Sequence, residues 1–138
     1  MNNTAAFIMP VKIRGNEIEL SFFRKSVDSI KNQTDSDWII IMVEDRSEDQ
    51  AVYDAIEEMK KELKDKLHVI YSDKNYGSGA SRNTGILHAY EAGFPFILFN
   101  DSDDISDPRR LELVRFNSLI FFRGRVPASF LCPPSLVY

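Results

Sequence analysis

Four short apolar runs, separated by segments of helical period, constrain this chain more than any other feature. Residues 6–13, 38–43, 67–71 and 94–100 are each of strand length and apolar. Trp38-Ile-Ile-Ile-Met-Val43 is continuous and rich in β-branched side chains, the pattern of a strand buried on both faces. Between the runs, residues 17–33 place Leu20, Phe23, Val27 and Ile30 on one helical face. A second helix carries Val52, Ala55, Ile56, Met59 and Leu63, and its charged residues read as a solvated face. Ser47 is expected to cap it. A third helix is expected over about 80–92, closed by Gly93. A further helix is expected from Pro108, capped by Asp107. Strands alternating with helices imply βαβ units, an α/β fold and a mainly parallel sheet.

Right-handed crossovers leave few topologies. If the second and third strands extend the sheet to one side of the first, the fourth returns to the other side, giving the order 3-2-1-4. The first and fourth strands then flank a switch point, and ligands bind in the crevice at the carboxyl ends of such strands. The polar motifs fall at those ends. Lys12 and Arg14 follow the first run, Glu44 to Ser47 the second, Asn75 to Asn83 the third, and Asp101 to Asp104 the fourth.

The fourth run ends in three carboxylates, Asp101, Asp103 and Asp104, within four residues. Hard divalent cations take several oxygen ligands close together, so a metal is expected here, with a neighbouring carboxylate free for a sugar hydroxyl. An acidic turn that starts the next helix is the plainer alternative. Asp45, at the end of a buried strand, is a candidate to accept a hydrogen bond from a base N–H; helix capping is the alternative. In Asn75-Tyr-Gly77-Ser-Gly79-Ala-Ser-Arg82-Asn83 the glycines lead into a helix N-terminus, where anions are favoured. Arg82 could reach a diphosphate or pin an acidic loop. No Lys-Ser/Thr pair follows, so this is not a nucleotide-hydrolase phosphate loop.

The chain has 138 residues, 17 basic and 21 acidic, with a net charge of -4. That is enough for one core, and it argues against nucleic acid as a partner. His68 and His88 form no metal-spaced cluster with cysteine or with each other and are expected to be structural. Cys132, the single cysteine, carries no motif. No apolar run has transmembrane length, and the first residues lack a basic n-region, so the expected location is cytoplasmic, or peripheral to the inner face of a membrane. Beyond Glu112 the 26 remaining residues hold three arginines and no carboxylate, and residues 116–138 show no clear period. They read either as a truncated or frame-shifted end or as a hydrophobic extension that packs on the core.

Taken in order, the motifs resemble family 2 glycosyltransferases, whose nucleotide-sugar-binding fold is named GT-A. The family's Pro-Val-Tyr-Asn, Asp-Asp-Gly-Ser-x-Asp, Asn-x-Gly with Ala-Arg-Asn-x-Gly, and Leu-Asp-x-Asp-Asp with Pro-x-Arg-Leu-Glu are similar to segments of this chain. These are Pro10-Val11-Lys12, Glu44-Asp45-Arg46-Ser47-Glu48-Asp49, Asn75-Tyr-Gly77 with Ser81-Arg82-Asn83-Thr-Gly85, and Asn100-Asp101-Ser-Asp103-Asp104 with Pro108-Arg-Arg110-Leu111-Glu112. The resemblance covers roughly residues 5–113. It implies a Rossmann-like, three-layer α/β/α domain over 1–113 that is incomplete, followed by an atypical tail over 114–138.

The implied activity is inverting, metal-dependent transfer from a nucleoside diphosphate sugar, usually a UDP-sugar, to a hydroxyl of a saccharide or lipid-linked acceptor. By the same resemblance Asp45 binds the uracil and Asp101 the ribose or sugar. Asp103 ligates Mn²⁺ or Mg²⁺, with Asp104 assisting. Pro10, Lys12, Asn75, Gly77 and Arg82 complete the substrate site, Lys12 standing where the family often has an aromatic ring. The family's acceptor half and its Asp or Glu base lie downstream of the metal motif, and nothing after Leu113 matches them, so the general base is expected outside this chain. The fourth strand would then be an open apolar edge and a place for self-association. A non-catalytic binding module of the same fold is the main alternative. A nucleotidyltransferase is a weaker one, echoed by Lys12-Ile-Arg14-Gly15.

Overall fold

The computed structural model describes residues 3–122. Four parallel strands, β1 (Ala5–Val11), β2 (Trp38–Glu44), β3 (Leu67–Tyr71) and β4 (Phe96–Phe99), lie in the order β3-β2-β1-β4. The expected fold class, strand order and parallel sense all hold. The helices are α1 (Glu17–Lys31), α2 (Gln50–Leu63), α3 (Ser78–Glu91) and α4 (Arg110–Phe122).

Alternation along β1 divides the core into two faces. Ala5, Phe7, Met9 and Val11 join Phe23, Val27 and Ile30 of α1, Val52, Ala55, Ile56 and Met59 of α2, and Leu111 of α4 in the larger cluster. Ala6 and Ile8 turn the other way, joining Ile39, Ile41 and Ala89 of α3. The second layer is thin because α3 buries small residues, Ser81, Gly85 and Ala89, spaced four apart on one face. A Cβ on Gly85 would stand 2.5 Å from Ile8 Cγ2, so glycine there sets how closely α3 approaches β1.

Several local expectations need correction. Asp49, not Ser47, caps α2: its Oδ1 accepts from the Ala51 amide at 3.0 Å. Ser47 Oγ instead accepts from the Ile13 amide at 3.2 Å, so it ties the β1 and β2 loops together. α4 begins at Arg110, after a turn in which Asp107 Oδ1 accepts the Arg109 amide at 2.8 Å. Residues 116–122, where no period was expected, continue α4. Arg115 joins this helix to the loop before β2, its Nε 2.7 Å from Asp35 Oδ2. The rest of the expected atypical tail, residues 123–138, lies outside the described residues.

His68 and His88, read as unconnected, meet with Nδ1 and Nε2 3.2 Å apart, because α3 packs back over the sheet beside β3. β4 borders only β1 among the described strands, and Ile97 and Phe99 are partly exposed on it.

Candidate functional site at the carboxyl edge of the sheet

The loops after β1, β2, β3 and β4 open on one cleft of about 730 Å³ at the sheet's carboxyl edge. Pro10, Lys12, Asp45, Gly77, Arg82, Asp101 and Asp103 all line it. Asn75 and Asp104 do not. Ile18 and Phe22 of α1, both exposed, form an apolar wall that the motifs do not include.

Asp45 is 2% exposed. Its carboxylate accepts from the Tyr76 amide at 2.8 Å and the Gly77 amide at 2.7 Å, while its own amide donates to Val11 O at 2.8 Å. This one residue therefore ties the end of β1 to the loops after β2 and β3. Gly77 takes φ +89°, a backbone region that favours glycine, and Asn75 serves it from outside the cleft, Oδ1 accepting the Gly77 amide at 3.1 Å.

Glu44 beside it, named in the motif without a role, is also buried. Its carboxylate accepts from the Arg46 amide at 3.1 Å and the Ser47 amide at 2.6 Å, shaping a turn in which Arg46 and Glu48 hold φ near +57° and +58°. The signal was present: a glutamate at the last position of a buried strand. Lys12 is exposed and donates from Nζ to Arg46 O at 3.3 Å.

The acidic segment is not a continued strand. β4 ends at Phe99, and the Asp104 amide donates to Asp101 O at 3.1 Å, so residues 101–104 form a turn. The turn brings Asp101 and Asp103 to the cleft and leaves Asp104 outside it. Asp101 is engaged by Arg82, whose Nη2 lies 2.7 Å and 2.9 Å from its two oxygens. Asp103 is exposed, and its carboxylate has no hydrogen bond or ion pair among the described residues.

The three carboxylates therefore do not gather, and among the described residues no group of three His, Cys, Asp or Glu could hold a metal ion. What the segment offers is one free carboxylate on the cleft wall. Mg²⁺-type cations are commonly held by one or two carboxylates and completed by substrate phosphates and water. Asp103 fits that mode of binding and not a preformed protein cage.

A buried polar seam holds the acidic turn against α1. Asn100, 1% exposed, is its hub. Its Nδ2 donates to Ser26 Oγ at 2.9 Å and to Asp104 O at 3.2 Å; its Oδ1 accepts from Ser106 Oγ and from Arg110 Nη1, the latter at 3.2 Å. Ser26 Oγ donates to Asp101 O at 2.8 Å, Ser29 Oγ accepts the Ser106 amide at 3.0 Å, and Gln33 Nε2 donates to Asp107 O at 2.7 Å. Ser26 and Ser29 lie in α1, and Gln33 lies just past its C-cap.

The sequence model described as glycosyl transferase family 2 matches residues 7–115. Over 97 residues, 70% of this chain, it is 35% identical to an uncharacterized glycosyltransferase of Methanocaldococcus jannaschii, 32% of which is covered. Over 91 residues, 66% of the chain, it is 29% identical to a putative teichuronic acid biosynthesis glycosyltransferase of Bacillus subtilis, 34% of which is covered. The chain thus spans about a third of the length of these curated relatives. Its backbone superposes on S. aureus TarS 1-349 in complex with UDP with a TM-score of 0.65, at 23% identity, covering 82% of this chain and 31% of that one. That likeness is one of fold.

Proposed function

This chain belongs to glycosyl transferase family 2, whose members generally transfer sugars from nucleoside diphosphate sugars, and from that premise we propose that its cleft is the donor site. The donor would be a UDP-sugar, and transfer to the acceptor hydroxyl would proceed with inversion. The observation that carries this reading is the gathering of Lys12, Asp45, Arg82, Asp101 and Asp103, from the loops after β1, β2 and β4 and from the start of α3, on one cleft.

Each group has a task that suits its surroundings. Asp45 is buried and held by two amides, yet each of its oxygens retains a lone pair, so it can accept a ring N–H of a base. Asp101, oriented by Arg82, faces the ribose or sugar hydroxyls. Lys12 and Arg82 bring positive charge to a ligand that carries a diphosphate. Asp103 would hold Mn²⁺ or Mg²⁺ against that diphosphate. The cation supplies Lewis-acid neutralisation of the departing diphosphate.

No residue of the cleft is assigned as the acceptor's base. With about a third of its relatives' length, the chain is read as the donor-binding part of the enzyme, the acceptor being a saccharide or a lipid-linked acceptor.

Calorimetry with UDP, in the presence and absence of Mn²⁺, tests the proposal. The expected result is binding that Mn²⁺ strengthens, with Asp103→Ala abolishing the Mn²⁺ effect while the circular dichroism spectrum stays unchanged. No UDP binding under either condition would overturn it, and so would a metal effect that survives the substitution.

A further inference from the structure

Ser81 lies one turn inside α3 and is 2% exposed, yet its Oγ has no hydrogen-bond partner among the described residues. It lines the cleft together with Asp45, Gly77, Ser78 and Arg82. A helical hydroxyl normally satisfies itself by donating to the carbonyl of the preceding turn. Thr84, in the same helix, does so, with Oγ1 3.0 Å from Ala80 O. Ser81 does not, although leaving a buried hydroxyl unpaired is costly.

We propose that the Ser81 hydroxyl reads the nucleobase of the donor, donating to a ring carbonyl oxygen beside the N–H that Asp45 accepts; the inference rests on the donor-site reading above. Gly77 joins the two residues, both of which line the cleft. Its amide donates to Asp45 Oδ2 at 2.7 Å, and its carbonyl accepts the Ser81 amide at 3.0 Å. An acceptor and a hydroxyl donor on the same cleft suit a base edge in which an N–H adjoins a C=O, as at N3 and O4 of uracil, where cytosine has an amino group in place of O4. Cytosine presents a bare ring nitrogen there, which the Asp45 carboxylate cannot bond.

A phosphate is the rival ligand, since helix N-termini attract anions. The Asp45 carboxylate already occupies the loop that leads into this helix, and a second anion beside a buried first one would be repelled. A neutral polar edge suits the place better. Arg82, the next residue, holds Asp101 through one terminal nitrogen.

The test is calorimetry of UDP, UMP and CDP on the 138-residue chain and on Ser81→Ala, with thermal melts of both ligand-free proteins. Alanine is the residue that the family motif carries at this position. A single hydrogen bond predicts a loss of about three- to tenfold in affinity, equal for UDP and UMP, and a matching fall in the preference for UDP over CDP. The ligand-free melting temperature should not drop, because the hydroxyl has no partner to lose. Unchanged UDP affinity overturns the proposal, as does an equal loss for CDP, a loss confined to UDP, or a lower ligand-free melting temperature. If the unsubstituted chain binds none of the three nucleotides, the donor-site reading fails and this inference falls with it.

Discussion

Arg82 donates from one terminal nitrogen to both carboxylate oxygens of Asp101, at 2.7 Å and 2.9 Å, bridging the start of α3 and the end of β4. The two side chains are about a third exposed, so solvent screens the pair and its share of folding stability is small. Its geometric effect is larger, because it fixes a carboxylate that would otherwise sweep the cleft mouth.

Arg82→Ala should therefore separate two readouts. Folding stability should fall by about 1 kcal/mol or less in urea titrations. UDP affinity should fall at least about tenfold, since the variant loses a cation near the diphosphate and the orientation of Asp101. A variant that binds UDP as well as the parent would remove Arg82 from the site.

Asn100 tests the seam beneath the acidic turn. Truncation to alanine strips partners from Ser26, Ser106, Arg110 and the Asp104 carbonyl in one buried place. Each buried group left unpaired costs about 1–3 kcal/mol, and some will find new partners, so about 2–3 kcal/mol is expected overall. Asn100→Leu, which restores the residue of the family motif, should not recover it, because leucine cannot serve Ser26 or Arg110. Urea unfolding of both variants measures this, and a loss under about 1 kcal/mol in either would show that the seam relaxes freely.

The seam also marks where sequence reading stopped. The strand order was legible because alternating strands and helices with right-handed crossovers leave few topologies, and the order 3-2-1-4 sets a switch point beside the polar strand ends. The placement of Asp45, Arg82, Asp101 and Asp103 at the carboxyl edge was legible because each follows a strand in that parallel sheet. Ser26 and Ser29 of α1 and Gln33 just past its end were not, because their partners lie 74 to 78 residues further along the chain. The cap of α2 failed differently: Ser47 and Asp49 are both good caps, and only the fold shows that Ser47 is taken by the Ile13 amide. The three carboxylates do not gather because nearness in sequence is not convergence in space: the chain stops being a strand at Phe99 and turns, which carries Asp104 away from the cleft.

Gly85, read only as part of a motif, has a packing role that two glycine substitutions can isolate. In Gly85→Ala the new methyl meets Ile8 Cγ2 at 2.5 Å, and Ile8 is fully buried in a central strand. Alanine gains up to about 1 kcal/mol of helix propensity. Overpacking costs about 1–3 kcal/mol, so a net loss is expected. Gly79, in the first turn of the same helix, has nothing within 4 Å of a built Cβ. Gly79→Ala should raise stability by about 0.4–1 kcal/mol. Thermal melts of the two variants should move in opposite directions; a shift in the same direction would deny the close approach of α3 to β1.

The His68–His88 contact predicts a pH dependence whose sign follows from its cause. Burial holds His68 below the ordinary imidazole value of 6.5, and the neighbouring His88 lowers it further; Asp65 opposes both from the short turn before β3, and Phe94 packs against the ring. With the folded pKa depressed, the unfolded chain binds more protons as pH falls below 6.5. Stability is therefore full above that value and declines as pH drops toward the folded pKa. The lowered carboxylates Glu19, Glu57 and Asp73 add losses only in the more acidic range below their ordinary values of 4.5, 4.5 and 3.8. Urea unfolding between pH 7.5 and 5.5, a window set by the imidazole value, should show this slope in the parent and a weaker one in His68→Gln. By NMR, the His68 ring should titrate below 6.5, and His88→Gln should raise its midpoint only partway, because burial is the larger cause. A midpoint at or above 6.5 in the parent would mean that the two rings do not meet as described.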